Sequence, residues 1–166
     1  MSFKKGHALN LSKGFTLIEV IVVTLILSIL ALIGVETIVG FQKNAILEST
    51  AKELVSTIRT AQNKSLAGEL LTGEVLQPND LPKYGIDFST SSYTLFRDYV
   101  GVGSSAIEVY PIDTQLTLIT LTPSTQVVFD RVSGTSSPTN LKLERLDNGE
   151  NIQINISKEG LVTLIK

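Results

Sequence analysis

The sequence predicts an α+β fold in which one long N-terminal helix packs on a mostly antiparallel β-sheet domain. No proline falls between residues 15 and 67, and that stretch is apolar on every face in its first half and on one face in its second. Short segments of alternating apolar and polar residues, separated by Gly, Pro, Asn and Ser, occupy the chain from Tyr84 onward. The first pattern has the period of a helix and the second the period of strands.

Residues 1–14 are polar and carry Lys4, Lys5 and Lys13 with no acid, and residues 15–36 are almost wholly apolar. As an α-helix, roughly 20 such residues rise about 30 Å, the thickness of a hydrocarbon core. Lysines ahead of the run place residues 1–14 in the cytoplasm and the remainder outside. The expected topology is a single pass of the cytoplasmic membrane, N-in and C-out. A secretory signal has a shorter apolar region, about 7–15 residues, followed by a small-x-small cleavage site. This run is longer and has no clear site after it. A plain membrane anchor is the simpler alternative, and it leaves Glu19 unexplained. An acid at the centre of a membrane helix costs about 2.5–3.5 kcal/mol, less at this shallower depth, and is a functional residue by default.

The helix is expected to continue as an amphipathic extension over residues 37–67. Leu47, Ala51, Leu54, Ile58 and Ala61 recur at spacings of three and four, with Val55 beside them, while Lys43, Glu48, Lys52, Glu53, Arg59 and Lys64 fill the other faces. Gly68 is a plausible stop, which makes the whole helix about 80 Å long. Its first half needs lipid or other helices, and its second half needs a sheet.

Residues 68–166 form the expected globular part. A loop with Gly68, Gly73, Pro78 and Pro82 precedes strands predicted over 84–88, 92–97, 106–110, 115–121, 126–130, 141–145, 151–156 and 161–165. Asn148-Gly149, between the sixth and seventh, is a two-residue hairpin signal. The strands are expected to make one antiparallel sheet, or two small ones, wrapped on the helix stripe.

Composition removes most chemistry. The chain has no cysteine, hence no disulfide, thiolate ligand or thiol nucleophile, and its single histidine, His7, lies in the leader. No enzymatic role and no cofactor are expected. The net charge is −2, and without the three leader lysines it falls to −5, so a nucleic-acid partner is not expected.

Lys13-Gly14-Phe15-Thr16-Leu17-Ile18-Glu19 and the apolar run after it resemble the class III leader of type IV prepilins and type II secretion pseudopilins. The resemblance implies cleavage by a membrane aspartyl peptidase between Gly14 and Phe15, N-methylation of Phe15, and a role for Glu19 in assembly. It also implies partners: the prepilin peptidase, membrane lipid, an assembly platform and other pilin or pseudopilin subunits. The residues suit those roles. Gly14 has no Cβ and lets the backbone lie extended in a protease cleft. Cleavage creates an α-amine on Phe15 about one helical turn from Glu19, giving that acid a cation it lacked. In the family the acid is thought to pair with the amine of a neighbouring subunit. A misregistered subunit would leave a buried charge unpaired at a cost of about 3–5 kcal/mol. An intramolecular pair satisfies the same chemistry.

The globular half is most similar to the H-type pseudopilins and related minor pilins. The likeness rests on Ile58-Arg59-Thr60-Ala61, Tyr84-Gly85-Ile86-Asp87-Phe88, Val128-Phe129-Asp130-Arg131 ahead of Gly134, and Lys158-Glu159-Gly160-Leu161-Val162. Two departures favour a pseudopilin or minor pilin over a major adhesive pilin. Glu36 stands where many major pilins have a kinking proline, and the C-terminal disulfide of adhesive pilins is impossible without cysteine. Whether the filament is a pilus, a secretion pseudopilus or a DNA-uptake fibre stays open.

Other motifs have bland readings. Ser49 and Lys52 match a serine-x-x-lysine spacing but fall on the predicted amphipathic helix without companion motifs. Asp147, Asn148, Glu150 and Asn151 crowd oxygen donors at one turn, which suits either a solvated hairpin tip or calcium. Gly101-Val102-Gly103 is glycine-rich but follows no βαβ pattern. Arg131, Lys142, Arg145, Lys158 and Lys166 are interleaved with acids, which argues against a basic patch.

Overall fold

The computed structural model describes residues 14–69, 82–99, 103–122 and 124–165, without the side chains of residues 33–37, 99 and 103. The leader up to Lys13, most of the expected loop at 68–82, Gly101, Val102 and Lys166 lie outside the described residues.

Among the described residues one helix and eight strands follow in order: α1 (Leu17–Ala67), β1 (Lys83–Phe88), β2 (Ser92–Tyr99), β3 (Gly103–Pro111), β4 (Leu116–Thr120), β5 (Gln126–Val128), β6 (Thr139–Arg145), β7 (Asn151–Ile156) and β8 (Val162–Ile165). Every predicted strand is present, most within a few residues of its expected ends. Gly103, read as part of a glycine-rich loop, opens β3. All pairings are antiparallel, and they build two four-stranded sheets in the orders β3-β2-β1-β5 and β4-β6-β7-β8. The chain divides into two compact units, Met1–Gln42 and Lys43–Lys166.

In the second unit the helix stripe is the floor of the core. Leu47, Ala51, Leu54, Val55, Ile58 and Ala61 are all buried, in one cluster with Tyr84, Ile86, Leu95 and Val127 of the first sheet and Leu118, Leu141, Leu143, Ile154 and Ile156 of the second. Each large side chain buried this way is worth about 1.5–3 kcal/mol. The stripe continues one turn further than its apolar residues. Ser65 is fully buried, and its Oγ donates to the Phe129 carbonyl at 2.7 Å, so the polar position is satisfied by the chain leaving β5.

The helix ends as its sequence demands. Gly68 is left-handed (φ 59), its amide donates to the Ser65 carbonyl at 3.1 Å, and the Glu69 amide donates to the Lys64 carbonyl at 3.2 Å. That pair of bonds is a Schellman cap, which satisfies carbonyls the last turn would leave orphaned.

Gly85 is needed for a different reason. It pairs with Phe96 across β1–β2 and with Val128 across β1–β5, and a Cβ on it would lie 2.4 Å from the Val127 carbonyl and 2.7 Å from Phe96 Cζ. The Phe96 ring lies over the space that a side chain at Gly85 would fill.

The expected two-residue Asn148-Gly149 hairpin is not formed. A type I′ turn needs both residues at positive φ, and among the described residues only glycines have it. Arg145 N–H instead donates to the Glu150 carbonyl at 2.8 Å and Gly149 N–H to the Arg145 carbonyl at 3.1 Å, so the loop runs 146–149 with Gly149 alone left-handed (φ 73). In this longer loop Asp147 lies against the guanidinium of Arg145.

The predicted membrane span is not a feature that the described residues support. Among the described residues no helix is long and apolar enough to cross a membrane. The described apolar side chains run from Leu17 to Leu32, short of the Val35 to which the sequence carries the run.

Candidate assembly site

The first helical turn carries the predicted assembly residues. Gly14, Phe15 and Thr16 precede the helix in non-helical backbone, and Phe15 is 81% exposed. The helix therefore begins at Leu17 and not at Phe15. Thr16 is its N-cap: the Thr16 Oγ1 accepts the Glu19 amide at 3.3 Å, and its carbonyl accepts the Val20 amide at 3.2 Å. Thr16-x-x-Glu19 has the spacing of a capping box, which places an acid at the positive end of the helix dipole. Sequence reasoning passed over this role, although a Thr followed three residues later by Glu ahead of an apolar run announces it. A cap of this kind is worth about 1 kcal/mol.

Phe15, Glu19, Val20, Val23 and Thr24 border one shallow groove along the helix. Glu19 is the sole formal charge in residues 17–32. The two hydroxyls further along are satisfied internally: Thr24 Oγ1 donates to the Val20 and Ile21 carbonyls at 3.0 and 2.9 Å, and Ser28 Oγ donates to the Thr24 carbonyl at 2.7 Å. They add no unpaired donor to the surface. Glu19 is thus the one group there with an electrostatic demand. Leu17, Ile18, Ile21, Leu25, Leu30 and Leu32 are all exposed around it. A continuous apolar surface of this kind marks a region built to be covered.

The other sequence candidates resolve differently. The oxygen-rich turn holds a cation already, supplied by the protein. Arg145 donates from Nε and Nη2 to the two carboxylate oxygens of Asp147 at 3.0 and 2.7 Å, and from Nη1 to Glu150 Oε2 at 3.0 Å and to Asn44 Oδ1. Lys43 Nζ adds a 2.8 Å bond to Asp147 Oδ2. Hydrogen bonds from Arg145 and then Lys43 hold the Asp147 carboxyl down at about 2. The turn is a solvated tip, with residues 146–150 all exposed, but its carboxylates are engaged by Arg145 and Lys43 and are not an arrangement open to calcium. No group of three or more acids or histidines is placed to hold a metal among the described residues.

Ser49 donates to the Ile46 carbonyl and Lys52 pairs with Glu48, so the serine-x-x-lysine spacing is a helix surface. Lys142 is paired to Glu144 and Arg145 is 6% exposed, so neither presents a cation to a phosphate backbone.

Comparison with known proteins matches these features. The prokaryotic N-terminal methylation motif matches residues 9–35. A solved structure of the minor pseudopilin EpsH from the type 2 secretion system of Vibrio cholerae superposes with a TM-score of 0.54 at 14% identity, covering 72% of this chain and 95% of that one. A second crystal structure of the same EpsH gives 0.54 at 12% identity, covering 72% and 93%. The chain has a pseudopilin fold. No curated protein matches the sequence. The methylation motif falls on the leader and the apolar start of α1.

Proposed function

We propose that the chain is a non-enzymatic structural subunit, a pseudopilin or minor pilin, of a type IV pilus-like or type II secretion filament. It is made as a precursor, held in the cytoplasmic membrane N-in and C-out by residues 15–36, cleaved between Gly14 and Phe15, N-methylated on Phe15, and assembled through α1 with other subunits. One observation carries this reading: the methylation motif at residues 9–35 runs into a helix whose residues 17–32 are exposed on every side, with one charge among them, Glu19, on the first turn.

The reading explains why the two halves of α1 differ. The stripe from Leu47 is consumed by the chain's own sheets, whereas residues 17–32 have no partner within the described chain and need lipid before assembly and neighbouring helices after it. In apolar surroundings Glu19 requires a cation, and the amine freed on Phe15 by cleavage supplies one. The reading is tested in cells that contain the prepilin peptidase and an assembly platform. The chain is expected to co-purify with filaments and to cross-link through residues 15–32 to another subunit. A chain that stays wholly in the membrane while filaments form would favour an unprocessed, membrane-anchored binding domain.

A further inference from the structure

The Arg145 cluster sits at one particular place on α1. Lys43 and Asn44 are the helix residues it grips, and Lys43 is the first residue of the second compact unit. Just before them Ile38, Val39 and Phe41 are exposed, and a Cβ on Gly40 would meet nothing within 4 Å. Just after them burial begins at Leu47. Between those limits Ala45 is exposed and Ile46 only half-buried, so apolar packing does little to hold this turn.

Arg145 is well placed to hold it instead. It ends β6, which is flanked by β4 and β7, and it is fixed from both sides, paired to Leu116 across β4–β6 and donating its amide to the Glu150 carbonyl. Its guanidinium is buried and spends its donors on Asp147, Glu150 and Asn44, while Asp147 passes the link on to Lys43. Charge-assisted and bidentate bonds of this kind are stronger and more directional than neutral ones.

We propose that this cluster is a latch that fixes where the held part of α1 begins, so that the helix ahead of Lys43 can unwind or repack while the sheet-bearing half stays intact. Any unwinding ahead of Lys43 then stops at a salt-bridged turn and does not propagate to Leu47. The latch works the same way in a chain that never enters a filament.

Backbone amide exchange on the full-length chain in detergent micelles tests it. In an α-helix the amides of residues 47–50 donate to the carbonyls of residues 43–46, so release of the latched turn is read at 47–50. Lys43→Ala with Asn44→Ala removes the helix side of the latch and substitutes a better helix former at both positions. Helix propensity alone therefore predicts slower exchange at 47–50. The latch predicts exchange faster by on the order of tenfold or more, with residues 54–61 unchanged. Arg145→Lys, which keeps the charge and loses the fork, should move the same amides in the same direction by a smaller factor. Unchanged or slower exchange at 47–50 in the double variant overturns the latch. So does acceleration shared equally by residues 54–61, which would make the cluster a support of the whole core.

Discussion

Gly160→Ala is expected to be among the most damaging single-methyl additions in the sheet-bearing half. Gly160 lies in the turn between β7 and β8 at φ +78, and a Cβ there would sit 2.3 Å from both Gln62 Nε2 and the Gly134 carbonyl oxygen. Two costs add. A non-glycine residue in left-handed backbone loses roughly 1–2 kcal/mol, and overpacking a close-fitted site costs roughly 1–3 kcal/mol. The Gln62 side chain can swing aside only by giving up its 3.0 Å bond to the Gly134 carbonyl, and that carbonyl belongs to backbone. The expected loss is about 2–5 kcal/mol. Gly149→Ala is the control: φ is +73, but the nearest atom to its Cβ is Glu144 Oε1 at 3.5 Å, an ordinary contact. It should lose the backbone penalty alone, about 1–2 kcal/mol. Urea unfolding of the full-length chain in micelles measures both. The chain has four tyrosines and no tryptophan, and Tyr93 and Tyr110 stack with centroids 5.0 Å apart, so near-ultraviolet dichroism reports tertiary packing. Equal losses for the two variants would refute the packing argument.

Three further outcomes follow from the same geometry. Gly85→Ala should destabilise by about 1–3 kcal/mol, because the obstructing Val127 oxygen is part of a sheet; a change within about 0.5 kcal/mol would mean that β1 relaxes freely. Asp147 has a folded value of about 2 against an ordinary 3.8, a depressed carboxyl, so its contribution is complete above 3.8 and is lost as pH falls toward 2. Acid titration of stability should therefore be shallower for Asp147→Asn across that window, and an unchanged slope would remove Asp147 from the balance. Glu19→Ala should insert and be processed normally, yet enter filaments on the order of tenfold less well, since the Phe15 amine is left unpaired. Normal incorporation would end the register role.

Much of this fold was legible because two periods alternate cleanly along the chain. Burial of Leu47, Ala51, Leu54, Ile58 and Ala61 follows from their spacing, and the Gly68 stop from the need for a left-handed residue after the last turn. What stayed hidden depends on side chains distant in sequence. Asn148-Gly149 reads locally as a tight hairpin, but the loop is longer and carries bonds from Arg145 and Lys43 to Asp147. The same bonds engage the carboxylates of that turn in an ion-pair cluster, and Lys43 is separated from Asp147 by the length of the domain. Ser65 continues the buried stripe as a polar residue, and its partner, the Phe129 carbonyl beyond β5, is distant in sequence. At the other end, Gly14, Phe15 and Glu19 are proposed from their order along the chain, whereas the capping bond from the Glu19 amide to Thr16 emerged from the geometry of the first turn.

The central claim rests on one peptide bond. Intact-mass and N-terminal analysis of the chain recovered from cells with an active prepilin peptidase tests it directly. The account predicts a mature chain that begins at Phe15 and carries a methyl group on its α-nitrogen. A chain that still begins at Met1 in those cells would contradict it.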